Sequence, residues 1–105
     1  MNAGQQDVSP SLTATGTTQA TALLLINGIS YVGTVASGTG VVLFPGNPGT
    51  SQRVYNAGLN TLKVYPTSGA QINGLGTNNG MLLAPNTLCE FWNLTSTQTV
   101  GNLSA

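Results

Sequence analysis

Gln52-Arg53-Val54-Tyr55-Asn56-Ala57-Gly58-Leu59-Asn60-Thr61-Leu62-Lys63-Val64-Tyr65 is the stretch on which the fold turns. Two runs alternate apolar and polar residues, use the β-branched and aromatic types that suit a pleated surface, and flank a connection containing Gly and Asn. The pattern predicts strands over Gln52 to Ala57 and Thr61 to Tyr65, joined as a hairpin. With Gly58, Leu59 and Asn60 as a three-residue loop and Asn60 left-handed, Val54 lies across from Val64, Tyr55 from Lys63 and Arg53 from Tyr65. Val54, Leu62 and Val64 then enter the core, while Arg53, Tyr55, Lys63 and Tyr65 share the opposite face. A two-residue loop would set Val54 against Lys63 on one face, an apolar-to-charged mismatch, and is rejected. The shared face reads either as two solvated cations propped by aromatic rings or as a contact patch.

The same rhythm runs outward on both sides. Short apolar and β-branched runs recur between Gly, Pro and Asn clusters, at spacings typical of sandwiches and small barrels. Further strands are expected at Thr21 to Ile26, Ile29 to Val35, Val41 to Phe44, Gln71 to Ile72, Met81 to Leu83, Leu88 to Leu94 and Gln98 to Leu103, with no helix. Asn27-Gly28, Asn73-Gly74 and Asn79-Gly80 offer residues that tolerate positive φ at turns, and Pro45-Gly46-Asn47-Pro48-Gly49 is a loop. In Leu88 to Leu94, Cys89 and Phe91 are assigned inward, because Glu90 is costly to bury unpaired. Trp92 then projects outward and needs cover from a neighbour, or a bulge returns it to the core.

Met1 to Thr18 has no apolar period and scatters Gly, Pro, Ser and Thr, so it is expected to form an extended arm beside one β-domain over residues 19–105. Gln5, Gln6 and Asp7 are its candidate contact residues.

Charge bounds the function. The 105 residues carry two cations, two anions and no His, 4% charged, where soluble domains carry roughly 25%. Asp7, Arg53, Lys63 and Glu90, with Cys89 as the single thiol, leave little for moving a proton near neutral pH, so the chain is expected not to be an enzyme. Structural zinc and calcium loops need ligand clusters that one such chain lacks, and no cofactor is expected. A net charge of zero gives no footprint for nucleic acid. The apolar runs Ala22 to Ile26 and Val41 to Phe44 are far shorter than the ~20 residues of a membrane span.

Met1 to Pro10 lacks the pattern of a secretion signal, so a cytoplasmic site of synthesis is expected and the sequons at Asn93 and Asn102 are read as chance. Cys89 is expected to be a buried small hydrophobe in a reducing compartment. An uncharged but polar exterior is cheaper to desolvate than an ionic one, which implies an obligate oligomer or a part of a larger assembly.

Gly40-Val41-Val42-Leu43, Val54-Tyr55-Asn56-Ala57-Gly58, Leu62-Lys63-Val64-Tyr65-Pro66 and Gly69-Ala70-Gln71-Ile72-Asn73-Gly74-Leu75 together resemble the small decoration, or cement, proteins of tailed-bacteriophage capsids. The resemblance covers roughly Thr18 to Leu94. It departs at the end, where related chains often close with an aromatic after a Thr-Ser run and this one has Gln98-Thr99-Val100-Gly101-Asn102.

The resemblance implies an all-β, jelly-roll-like sandwich or barrel. It also implies a homotrimer bound to the major capsid protein on the outside of the virion; Arg53, Tyr55, Lys63 and Tyr65, placed on one face by the hairpin register, and Trp92, placed outward by alternation, are the candidate contacts. Cementing of this kind stabilises the assembled shell by binding that state alone. The alternative from another class is a fibre or adaptor domain binding carbohydrate or another virion protein, with Tyr31, Tyr55, Tyr65 and Trp92 stacking on a sugar.

Overall fold

A computed structural model describes residues 8–45 and 48–103. Ten strands form: β1 Val8–Thr13, β2 Leu23–Leu24, β3 Ile29–Thr34, β4 Gly40–Val42, β5 Ser51–Asn56, β6 Leu62–Tyr65, β7 Gln71–Ile72, β8 Met81–Leu83, β9 Thr87–Asn93 and β10 Gln98–Leu103. The chain is all-β, and all nine strands anticipated from alternation are present to within a few residues.

Their partners are not those expected. A six-stranded sheet runs β1-β3-β5-β9-β10-β7 and a four-stranded sheet runs β2-β4-β6-β8. From β1 to β6 the chain visits the two sheets alternately, so each coil deposits one strand in each. β1, β3 and β5 pair in parallel, as do β2, β4 and β6. Paired residues in these ladders lie about 18 to 24 positions apart, one circuit of the chain. β8 then adds antiparallel to β6, and β9 and β10 meander back antiparallel beside β5.

The architecture is therefore a short two-sheet solenoid closed by a mostly antiparallel cap, in which β7 alone runs parallel to its neighbour β10, and this corrects the jelly-roll expectation. A jelly roll is built from antiparallel Greek keys, whereas the first six strands here form parallel ladders. The β5–β6 hairpin falls with it, since β5 and β6 lie in different sheets.

Inward-facing side chains stack along the coils. In the four-stranded sheet Leu23, Val41, Val64 and Met81 are registered neighbours. In the six-stranded sheet Ser9, Ser30, Val54 and Cys89 form one inward row. Between the sheets Leu25, Leu43, Leu62, Ile72, Leu83 and Phe91 are sealed from solvent. Burying each is worth roughly 1.5–3 kcal/mol. Val54, Leu62 and Val64 enter the core as expected from parity, because alternation sets the inward face whichever strand is the partner.

Corners are where a coil leaves a sheet, and there the ladder stops supplying hydrogen bonds. Amide side chains take over. Gln52, sealed inside, accepts from the Phe44 N–H at 3.2 Å and donates to the Phe44 carbonyl at 3.1 Å. Asn56 accepts from the Gly58 N–H and donates to the Asn60 and Leu83 carbonyls, each at 2.9 Å. Asn60 donates across to the Val35 carbonyl of the coil below. It does not take the left-handed conformation expected of a hairpin loop.

Gly58 lets these two corners touch, since a Cβ there would sit 2.7 Å from the Val35 side chain. Asn73 and Gly74 do adopt positive φ, 52° and 74°. Asn27 and Gly28 do not, because that segment passes from sheet to sheet and makes no hairpin.

Val8–Thr13 was expected in the arm and is instead β1, paired with β3 at the edge of the large sheet. Ala14 belongs to the core, and Tyr65 donates a hydrogen bond to the Thr17 carbonyl. The contact candidates Gln5, Gln6 and Asp7 lie outside the described residues.

Two buried polar groups should respond in opposite senses. Asn56→Ala strands one donor and two acceptors and is expected to cost about 3 kcal/mol in urea unfolding. Ser30, whose buried hydroxyl has no hydrogen-bond partner, should gain about 1 kcal/mol as Ser30→Ala. Equal effects from the two substitutions would contradict the corner assignment.

Candidate functional site

The register of the large sheet decides which side chains meet on its outer face. Parallel pairing of β3 with β5 sets Ile29 beside Arg53 and Tyr31 beside Tyr55. Antiparallel pairing of β5 with β9 sets Arg53 beside Glu90, Tyr55 beside Leu88 and Ser51 beside Trp92. β10 adds Asn102 next to Glu90 and Val100 next to Trp92. The outer face thus carries three cross-strand rows: Val8, Ile29, Arg53, Glu90 and Asn102; Tyr31, Tyr55 and Leu88; Ser51, Trp92 and Val100.

Arg53 and Glu90 pair at 2.6 Å between Nη2 and Oε2, with side chains 37% and 26% exposed. A pair this open to solvent contributes at most about 1 kcal/mol to folding and weakens with salt. Its chief effect is on the surface, where it cancels both charges of the face and leaves a neutral plane of apolar, aromatic and uncharged polar side chains. Trp92 is half-buried and Cys89 and Phe91 point inward, so the outward alternative for Trp92 is the one realised, with partial cover from its strand neighbours.

Tyr31 and Tyr55 are stacked on each other, ring centroids 5.5 Å apart and planes 22° from parallel. Stacking covers one face of each ring, which leaves the pair less open ring face for a pyranose than two separate rings would offer.

The four-stranded sheet holds the other two candidates, so the single patch expected for Arg53 and Lys63 does not exist. Arg53 is on the outside of one sheet and Lys63 on the outside of the other. Lys63 is registered beside Leu82, and the two help line an open depression of about 330 Å³ with Ser37, Gly38, Asn60 and Thr61. Tyr65 is 7% exposed, covered rather than presented. Its hydroxyl holds the 16–22 segment through Thr17, and its ring packs so closely that a Cβ on Gly40 would lie 2.9 Å away.

Arg53, Tyr55 and Trp92 are therefore brought together, Lys63 stands apart, and Tyr65 anchors the fold. Sequence reasoning missed Glu90 as the partner of Arg53. Parity had turned both outward, yet nothing in the sequence told that β5 and β9 are adjacent. Among the described residues, no group of three or more His, Cys, Asp and Glu side chains gathers to hold a metal. Comparison with protein-family models, curated proteins and solved structures finds no match to this chain.

Burial pushes the Cys89 thiol up to about 11 from its ordinary 9.0, opposed by a backbone hydrogen bond from Asn102 and aided by the nearby Glu90. The thiol is thus the stable form in the folded chain, while the unfolded chain ionises at lower pH. Stability from this group is fully present below about pH 9 and is lost as pH rises toward 11. Two results are expected: alkylation of Cys89 at pH 8 only after denaturation, and a Cys89→Ala variant that lacks this alkaline loss. Rapid labelling of the folded protein would contradict the buried assignment.

Proposed function

We propose that the chain is a non-catalytic structural protein of a bacteriophage virion, which binds the outside of the assembled capsid and stabilises it. The observation that carries this reading is the character of the described surface. Arg53 and Glu90 neutralise each other, Lys63 is the remaining described charge, and large apolar side chains such as Leu24, Leu82 and Val100 stand exposed among Thr, Ser and Asn. Such a surface is cheap to desolvate over a wide area and poor at keeping a free monomer apart.

The sealed, amide-stapled corners suit a part that works by holding its shape. The virion setting rests on the resemblance of segments such as Val54-Tyr55-Asn56-Ala57-Gly58 and Leu62-Lys63-Val64-Tyr65-Pro66 to those of capsid decoration proteins. Binding only the assembled lattice adds the binding free energy to the stability of that lattice. Lys63 and Leu82, side by side over the depression on the four-stranded sheet, are the shell contact in this reading: an apolar anchor beside a cation that seeks an acidic or carbonyl-rich surface.

Purified protein is expected to co-sediment with heads assembled in its absence and to raise their thermal stability. Leu82→Asp should weaken that binding at least tenfold with little change in folding, as expected at an exposed position. Lys63→Gln should weaken it less and flatten its salt dependence. Retention on a glycan array with no binding to heads would replace this reading with a carbohydrate-binding adaptor.

A further inference from the structure

We propose that the outer face of the six-stranded sheet is a self-association surface, on which a second copy of this chain packs face to face about a two-fold axis running along the strands between β5 and β9. The inference goes beyond the capsid reading and does not depend on it; it sets a two-fold pair in place of the homotrimer that the resemblance implies.

The register supplies the argument. A two-fold axis between two strands lays each strand of one copy over the neighbour's opposite number: β5 over β9 and β3 over β10. Arg53 beside Glu90 then becomes Arg53 over the second copy's Glu90, and the reverse, so two intrachain pairs become a closed ring of four alternating charges. A face that carries one cation and one anion in register is complementary to itself, as an isologous contact requires.

Size follows the same symmetry. Tyr55 and Leu88 are neighbours, as are Ser51 and Trp92. The operation therefore lays Tyr55 on Leu88 and sets Trp92 over Ser51, the bulkiest side chain over one of the smallest. Ile29, next to Arg53, meets Asn102, next to Glu90. Aligned sheets cross at about 30°, which leaves these pairs close to the axis in contact.

Area permits the pairing. β1, β3, β5, β9 and β10 at about 4.8 Å spacing, with about six residues of about 3.3 Å each, present a plane of about 500 Å². This is below the ~800 Å² per partner of a standard interface, which suits a weak, concentration-dependent pair. Desolvating Arg53 and Glu90 is tolerable only because each gains a second opposite charge. An acidic or a basic partner would satisfy one and strand the other, which is why a second copy fits better than a partner of one sign.

Sedimentation velocity of the full-length protein over a micromolar to submillimolar series tests this. A monomer–dimer equilibrium is expected. Arg53→Glu, which puts four carboxylates at the centre of the pair, should weaken it at least tenfold. The charge-swapped double variant Arg53→Glu, Glu90→Arg should restore it, and Leu82→Asp on the opposite sheet should leave it unchanged. Circular dichroism of each variant separates lost pairing from lost folding. A species that stays monomeric, a trimer, an association indifferent to Arg53→Glu, or one abolished by Leu82→Asp would each overturn the two-fold pairing. A monomer that still co-sediments with heads would do so while leaving the capsid reading intact.

Discussion

Every coil of this protein must turn out of one sheet and into the other, and each turn leaves backbone N–H and C=O groups next to the core with no ladder to join. A buried unpaired group of this kind costs about 1–3 kcal/mol, so a few bare corners would consume the stability available to a domain of this size. Gln52 and Asn56 meet the constraint by lending an amide that imitates the missing strand, donor and acceptor together. Charged side chains would not serve, because neither a carboxylate nor an ammonium offers both functions and each is far costlier to enclose. Gln52 and Asn56 are thus polar for an internal reason, not a surface one.

This also explains what the sequence revealed and what it withheld. Alternation in Gln52 to Ala57 and Thr61 to Tyr65 fixed which residues face inward, and Val54, Leu62 and Val64 are indeed in the core. Pairing was not legible, because strand partners in a coil are set by the length of a circuit, and the corners here differ too much in length for a repeat to show. Gly58 and Asn60 look like a hairpin loop to local reasoning. Their actual work is long-range, one accommodating Val35 and the other bonding its carbonyl. β1 was missed for a related reason: Val8–Thr13 contains Pro10 and shifts register between Ser9 and Leu12, which erases the period that would have announced a strand.

The candidate surface was half legible on the same grounds. Parity turned Arg53, Tyr55 and Trp92 outward, and all three share the large sheet. Lys63 and Tyr65 were added to them only through the supposed hairpin. Once β5 and β6 belong to different sheets, one cation finds Glu90 and the other is left on the far side of the molecule. Tyr55, expected across from Lys63, stacks instead on Tyr31.

A solenoid with so little charge has an obvious hazard, since its end strands expose unpaired backbone and identical chains can stack on them without limit. The edges here are poor templates. β2 and β7 are two residues long and β8 three, while β1 carries Pro10, which has no N–H to give, inside a stretch of irregular register. Growth along the axis is blunted at both ends, so the apolar area left to drive association lies on the broad faces. There the closed symmetry of a two-fold contact, unlike an edge, consumes the surface that creates it. A chain that relies on polar corners for its fold and has few ions to spare for its exterior is in this way directed toward finite assemblies built through its faces.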